Sequence, residues 1–165
     1  MVCIVVDHPK ASSIQEEIKQ TKPFSSVEEE ALLALMRTAD QVGQRNAEIL
    51  KPFGLSPTQY NALRILRGGG EKGLPCSEIA VRMINHDPDI TRLLDRLAKR
   101  GLVERSREEK DRRVVTARIT KDGLELLSSM DRTVRDAPKQ LLTGIGEKRL
   151  QTLLRLLRTV REKIA

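Results

Sequence analysis

Three basic residues of the segment "DITRLLDRLAKR" share one face if the segment is a helix. Arg92, Arg96 and Lys99 follow one another at steps of four and three, which separate neighbours on a helical surface. Asp89 and Thr91 lie at the start of the segment. In a helix that enters the major groove of duplex DNA, cations along the wall bind phosphates and residues near the start reach base edges. The spacing therefore suits a DNA recognition helix.

The same helix also fits a solvated surface without a ligand. Asp89 and Asp95 would then pair with the arginines in ordinary surface ion pairs. Both interpretations require that the opposite stripe of the helix faces a core, and this stripe consists of Ile90, Leu93, Leu94 and Leu97. The helix alone favours neither interpretation.

A charged run, "EEKDRR" at 108–113, follows the helix and lies between two segments that alternate apolar and polar residues. Such segments are typical of strands, and a strand pair directly after a recognition helix is a wing. Lys110, Arg112 and Arg113 at its tip would reach the adjacent minor groove, where A·T-rich sequence concentrates negative potential. Asp111 would hold an arginine by paired hydrogen bonds and aim it. The hairpin therefore favours DNA binding.

Other reactive residue types form no recognisable site. Cys3, Cys76, His8 and His86 are too few and too far apart in sequence for a disulfide framework or a zinc set. The glycine-rich "RGGGEKG" lacks the glycine spacing and the Lys-Ser/Thr ending of a phosphate-binding loop. No Ser/His/Asp or Cys/His arrangement is evident. We expect no metal, no cofactor and no enzymatic activity.

Composition agrees with a nucleic-acid partner. The chain has 165 residues, enough for one domain with its own core, and 39% of them are hydrophobic. Its net charge is +7 and its isoelectric point is about 9.7, which favours an acidic partner. Only 2% of the residues are aromatic, so a surface for stacking unpaired bases is absent. Duplex DNA is the better candidate.

The sequence also predicts where the protein is found. No apolar run approaches the roughly 18 residues that a membrane span needs. The opening "VCIVV" is too short for the apolar region of a signal peptide and follows no basic residue. We expect a cytoplasmic protein.

The amino-terminal part divides into an arm and a long helix. Residues 1–26 contain two prolines and one possible short helix in "SSIQEEIKQ". From Val27 to about residue 51, apolar residues recur at helical spacing. Ser26 would cap this helix and the acidic "VEEE" would suit its first turn. Pro52 and Gly54 would end it.

The middle of the chain has the order expected of a helix-turn-helix. The segment "LSPTQYNALRIL" predicts a helix, and two short helices are predicted at 76–84 and 88–100 with a tight "NHD" turn between them. Asp87 would cap the second of these and Pro88 would occupy its first position. The strands of the wing follow.

The carboxy-terminal part predicts two further helices. Thr120 would cap a helix over 121–142, and after "GIG" a last helix carries a leucine stripe that ends at Ile164. A winged lobe of about 90 residues needs no such helices for its own core, so they are best explained as a subunit interface. A two-fold dimer would place its recognition helices about 34 Å apart on a palindromic site. The predicted fold class is mainly α with a small β-hairpin wing, a winged helix-turn-helix with an added helical dimerisation region.

The segment "DITRLLDRLAKRGLVERSREEKDRRVVTARITKDG" resembles the recognition helix, wing and following helix of the MarR family of bacterial transcriptional regulators. The resemblance extends from about Val27 to the carboxy terminus, through "GLSPTQYNAL" and "SEIA". It implies a homodimeric repressor that contacts DNA through recognition-helix residues, a wing arginine held by an acid, and one serine near a phosphate. These residues are Asp89, Thr91, Arg92 and Arg96, then Arg113 with Asp111, and Ser77. Pro75 departs from the family pattern, since relatives often have a serine or threonine cap there.

The resemblance divides the chain into four parts. Residues 1–26 form the arm, 27–54 the first dimerisation helix, 55–120 the DNA-binding lobe and 121–165 the last dimerisation helices. A winged helix can also serve as a protein-interaction module without DNA contact, and this alternative stays open.

Many MarR relatives release DNA when a small aromatic or lipophilic acid binds, and the resemblance makes Phe53, Tyr60 and Arg64 candidates for such a site. The alternative is that Phe53 and Tyr60 are ordinary core residues. Other relatives sense peroxide through a cysteine. Cys76 lies in the first turn of a predicted helix, where the dipole would favour a thiolate, although most such cysteines only fill space.

Overall fold

The computed structural model describes residues 13–85, 89–107 and 115–164. The chain divides into two compact units, Met1–Glu48 and Ile49–Ala165. The predicted arm lies in the first unit, and the predicted helix-turn-helix lies in the second.

The first unit contains helix α1 (Ile14–Glu17) and most of helix α2 (Val27–Leu50). Ser13 and Glu16 cap α1 reciprocally, each side chain bonding the other's backbone. The Ser26 hydroxyl accepts a hydrogen bond from the Glu29 N–H at 3.2 Å, which confirms the predicted cap of α2.

Helix α2 ends as its sequence predicts. A 3-10 turn over Lys51–Phe53 contains Pro52, and Gly54 closes it with the left-handed φ of 65°. Because the proline lacks an N–H and the glycine has no Cβ, the helical path stops here.

Apart from the short strand β1, the second unit has the predicted order of helices and strands. Its elements are α3 (Pro57–Gly68), β1 (Leu74–Pro75), α4 (Cys76–Arg82), α5 (Ile90–Lys99), β2 (Val103–Arg107), β3 (Val115–Ile119), α6 (Lys121–Leu141) and α7 (Glu147–Ile164). Ser56 caps α3 with Pro57 in the first position, and the Thr120 hydroxyl caps α6. The predicted fold class, mainly α with a hairpin wing, is confirmed.

The sheet has three antiparallel strands in the order β1-β3-β2, one more than the predicted hairpin. Strand β1 pairs Leu74 with Ala117 and Pro75 with Thr116. Gly73 makes this approach possible, because a Cβ there would lie 2.4 Å from the Ala117 carbonyl oxygen. Two residues carry no alternation, so the sequence gives no strand signal for β1.

One core holds the second unit together. It is built mainly from leucines of α3, α5 and α6, closed by residues of the strands. Its fully buried large side chains are Leu63, Leu66, Ile79, Leu93, Leu94, Leu97, Leu127 and Met130. The inner face of the predicted recognition helix is therefore fixed by packing.

Candidate nucleic-acid interface

Helices α4 and α5 form the helix-turn-helix, and α5 divides its faces as its periodicity predicts. Leu93, Leu94 and Leu97 are buried, and Ile90 packs against the same core. The side chains of Thr91, Arg92, Arg96 and Lys99 are exposed. One wall of the helix therefore presents cations to solvent while the other anchors it.

The start of α5 differs from the prediction. The helix begins at Ile90, and Asp89 is its cap, accepting the Arg92 N–H on Oδ1 at 3.1 Å. The predicted cap, Asp87, and the predicted first helical residue, Pro88, are therefore wrong. Both residues lie outside the described part of the chain. An aspartate caps well at either position, so the sequence offered two cap signals and could not rank them.

Asp89 also orients the first arginine of the helix. Its Oδ2 lies 3.0 Å from Nε of Arg92, whose side chain is 83% exposed. One turn later, Arg96 donates from Nε to the Arg92 carbonyl oxygen at 3.3 Å. Cap, arginine and next arginine thus form a connected row along the exposed wall.

An ion pair that the sequence interpretation missed joins α5 to the wing. Arg105 on β2 donates from Nη1 to the Asp95 carboxylate, and its side chain is only 22% exposed. Helical spacing predicts only arginines of its own helix as partners of Asp95. The signal lay in strand alternation, because Arg105 is two residues after the buried Val103 and so lies on the same face of β2.

The wing is described up to its tip. Strands β2 and β3 pair from Val103 and Ile119 to Arg107 and Val115. On the outer face, Arg118 donates to the Glu104 carboxylate at 2.6 and 2.8 Å. The predicted tip residues Lys110, Asp111, Arg112 and Arg113 lie outside the described residues.

The first helix of the motif begins without a side-chain cap. Pro75 occupies the cap position of α4 and makes no side-chain hydrogen bond there. Its extended backbone belongs to β1, so the helix starts from a strand instead of a capped turn. Ser77 is exposed in the first turn, whereas Cys76 is half-buried and packs against the core.

The candidate effector residues lie in the 3-10 turn that follows α2 and on α3. Phe53 and Tyr60 are half-buried and pack against the core, as the simpler interpretation expected. Arg64 is one turn after Tyr60 and exposed, so a half-buried ring and an exposed cation share one face of α3.

The described residues contain neither a membrane-spanning helix nor a cluster of metal ligands. Within the described part of the chain, every helix falls short of the length or the hydropathy that a membrane span requires. No three His, Cys, Asp or Glu side chains come together there as metal ligands would.

Comparison with known proteins identifies the family to which this chain belongs. A sequence model of the MarR family matches residues 55–115. The HTH-type transcriptional repressor IacR of Pseudomonas putida is 30% identical over 126 residues, which are 76% of this chain and 74% of IacR. The chain belongs to the MarR family.

Solved structures agree with this MarR-family assignment. A crystal structure of a MarR transcription factor from Planctomyces limnophilus is 41% identical, with a TM-score of 0.64 over 83% of this chain and 99% of that one. The structure of MepR from S. aureus in complex with DNA is 20% identical, with a TM-score of 0.71 over 79% and 96% of the two chains. The second likeness shows a shared fold. The MarR-family match spans α3 to the start of β3 and so includes both helices of the helix-turn-helix.

Proposed function

We propose that this MarR-family protein is a sequence-specific repressor of transcription that binds duplex DNA through α5 and the β2–β3 wing. One observation carries the proposal: α5 exposes Thr91, Arg92 and Arg96 on one wall while three buried leucines fix the other. A rigid helix with exposed cations is what major-groove recognition requires. IacR, which is 30% identical, is named as a repressor.

The contacts divide by chemistry. Thr91 and Arg92, near the start of α5, read base edges, and Asp89 holds Arg92 in place. The phosphate contacts come from Arg96 and Lys99 on α5, Ser77 on α4 and the wing cations Lys110 and Arg112. Arg113, aimed by Asp111, enters the minor groove.

The second part of the proposal is a homodimer on a palindromic operator. Residues 27–54 and 121–165 supply the dimer contacts, 55–120 the DNA-binding lobe, and 1–26 an arm. The support is that α7 buries none of its described side chains, although leucines recur along it. An amphipathic helix whose leucine stripe is not buried calls for a partner, and in a two-fold dimer each copy of the chain covers the stripe of the other.

Salt dependence tests the DNA-binding part. Operator fragments selected from random duplex DNA should bind tightly, and affinity should fall by at least about tenfold between roughly 50 and 200 mM salt, because phosphate neutralisation releases counterions. Lys99→Ala should lower the slope of log affinity against log salt by about 1. An affinity for duplex DNA that is flat with salt would instead favour a protein-interaction module.

A small acid that releases the DNA is the third part of the proposal. The half-buried Tyr60 ring and the exposed Arg64 guanidinium suit an aromatic ring and its carboxylate, and Phe53 lies just before α3. Benzoate should weaken operator binding, whereas the neutral benzamide should not. Arg64→Gln should keep DNA binding and lose the benzoate response; a response retained in this variant would exclude Arg64.

The redox alternative concerns Cys76. Operator affinity measured by gel shift before and after peroxide treatment distinguishes a redox response from an effector response, with Cys76→Ser as control. An unchanged operator affinity would remove Cys76 from consideration.

A further inference from the structure

Asn61 on α3 is a buried polar side chain in the core of the second unit. It is 6% exposed, and its neighbours Ala62 and Leu63 are fully buried. Its Oδ1 accepts a hydrogen bond from the backbone N–H of Ile84 at 2.8 Å. Ile84 lies after α4, in the segment that leads to α5. The bond therefore joins α3 to the turn of the helix-turn-helix.

The amide of Asn61 is only half satisfied. Its Nδ2 is buried and has no hydrogen-bond partner among the described residues. A buried donor without an acceptor lowers the stability of the fold. A leucine has the same branched outline without polar atoms and would remove that donor, so the hydrogen bond to Ile84 is what the asparagine adds.

The position of Ile84 decides where the chain leaves the first helix of the motif. Met83 ends α4 with an extended backbone, φ −64° and ψ 140°. The backbone N–H of the next residue, Ile84, donates to Oδ1 of Asn61, while the Ile84 side chain points to solvent. The path to the Asp89 cap of α5 thus starts from an anchored residue.

We infer that Asn61 is a positioning residue for DNA recognition: it holds the turn at Ile84 and thereby sets the placement of α5, without touching DNA itself. This inference rests on the proposed function.

The experiment compares variants in two measurements. Asn61→Leu removes the acceptor in a larger side chain of the same branching, and Asn61→Ala removes it in a smaller one. Asn61→Asp keeps an acceptor for Ile84. Leu63→Met disturbs the same layer of the core without changing a hydrogen bond. Amide hydrogen exchange reports on the Ile84 N–H, and fluorescence anisotropy at fixed salt gives the affinity for a selected operator and for random duplex.

The expected result separates positioning from folding. In Asn61→Leu and Asn61→Ala, the Ile84 amide should lose its protection from exchange. The ratio of operator affinity to random-duplex affinity should fall about tenfold, a difference well above anisotropy error. Leu63→Met should keep both, and Asn61→Asp should keep the protection of the Ile84 amide because its carboxyl oxygen can still accept the bond. Phosphate contacts tolerate small displacements better than base contacts, so random-duplex affinity should change little.

Three results would overturn the inference. The first is that Asn61→Leu or Asn61→Ala loses the protection of the Ile84 amide while the affinity ratio is unchanged. The second is that these variants keep the protection although the acceptor is gone. The third is that Leu63→Met lowers the affinity ratio as much as they do. If the wild-type protein bound no duplex DNA, the proposed function itself would fail. The exchange data would still show whether Asn61 holds Ile84.

Discussion

At the scale of single residues, the ion pair between Asp89 and Arg92 leaves the arginine oriented but easily released. Its guanidinium pairs with the carboxylate of Asp89 at 3.0 Å, yet the side chain is 83% exposed. An exposed ion pair contributes only about 0 to 1 kcal/mol. The Asp89 carboxylate therefore orients Arg92 in the free protein at little cost to the base contact that we propose for this arginine.

Replacing the residues at the start of α5 should relax the choice of bases. Thr91→Ala or Arg92→Ala should reduce discrimination at one core position by roughly 1 to 3 kcal/mol, because a base-edge contact is lost. Arg113→Ala should weaken binding mainly on operators with A·T-rich flanks, where the minor groove is narrow. Anisotropy with systematically varied operators measures both.

The control is an exposed arginine away from α5. Arg132→Ala on α6 removes the same charge and should leave base preference unchanged. Equal losses on operator and random DNA from the Thr91, Arg92 and Arg113 variants would contradict the assigned roles.

Two glutamates at the start of α2 have lowered pKa values. The backbone N–H of Glu28 and then the Ser26 hydroxyl lower the pKa of Glu28, and the Ser25 hydroxyl and then its N–H lower that of Glu29. Ionised carboxylates are thus favoured in the folded chain. This contribution is complete above the ordinary pKa of 4.5 and is lost as the pH falls through the lowered value.

Ser25→Ala should raise the pKa of Glu29 towards its ordinary value, because the hydroxyl bond of 2.6 Å is removed. Glu28 is the internal control and should keep its pKa. Carboxyl chemical shifts followed by NMR during acid titration give both values. A pKa of Glu29 that does not move would mean that the backbone bond alone sets it.

At the scale of elements, the ion pair between Asp95 and Arg105 connects the recognition helix to the wing. Arg105 is mostly buried, and its Nε has no hydrogen-bond partner among the described residues. A charge in such a place depends on its partner. The orientation of β2 relative to α5 is therefore set by a contact that packing alone does not supply.

The two halves of this pair should differ in their effect. Asp95→Ala leaves the mostly buried Arg105 cation without its carboxylate partner and should lower the free energy of unfolding by about 1 to 3 kcal/mol. Arg105→Met removes the charge together with its need for a partner and should cost less. Urea denaturation measures both, and a larger loss for Arg105→Met would show that the arginine stem matters more than the ion pair.

The contact of α6 with the strands depends on Gly123. A Cβ at this position would lie 2.4 Å from the Leu102 carbonyl oxygen and 2.7 Å from Cγ1 of Ile119. Gly123→Ala should therefore cost about 1 to 3 kcal/mol of unfolding free energy through overpacking. Alanine normally stabilises a helix by about 1 kcal/mol relative to glycine, so a loss of stability in Gly123→Ala would be opposite in sign to the effect of helix propensity.

Gly68→Ala, at the end of α3, is the matched control. An added Cβ there meets nothing within 4 Å, so stability should stay equal or rise slightly. If both variants behave alike in urea denaturation, the close approach of α6 to the strands is not what requires glycine at 123.

At the scale of the whole molecule, two long helices carry apolar residues that this single chain does not bury. Met36 on α2 is 60% exposed and Leu154 on α7 is 59% exposed. Such residues recur along both helices at core-like spacing. Extended exposed apolar surfaces of this kind usually mark an interaction site.

Charges placed on these surfaces should prevent the proposed dimer. Leu154→Glu or Met36→Glu should shift the mass found by light scattering at micromolar concentration from two chains towards one, because a carboxylate cannot be buried unpaired at low cost. Val81→Glu changes an equally apolar side chain that is 86% exposed on α4 and should leave the mass unchanged. A wild-type protein that is a clean monomer would contradict the dimer.

Much of this protein follows from local sequence. Helical periodicity, the capping Ser56 and Thr120 and the stop at Pro52 and Gly54 predict the helices closely, because caps and apolar spacing act within a few residues. The exposed wall of α5 with Arg92 follows in the same way. These features need no knowledge of what lies across the core.

Other features were decided only by the tertiary structure. Strand β1, the Asp95 to Arg105 ion pair and the bond from Asn61 to Ile84 join segments that are separated in the chain. A two-residue strand has no periodicity, and a buried asparagine looks like any polar residue until its partner is known. The sequence determined the elements because their signals are local, whereas these contacts exist only once the core has brought distant segments together.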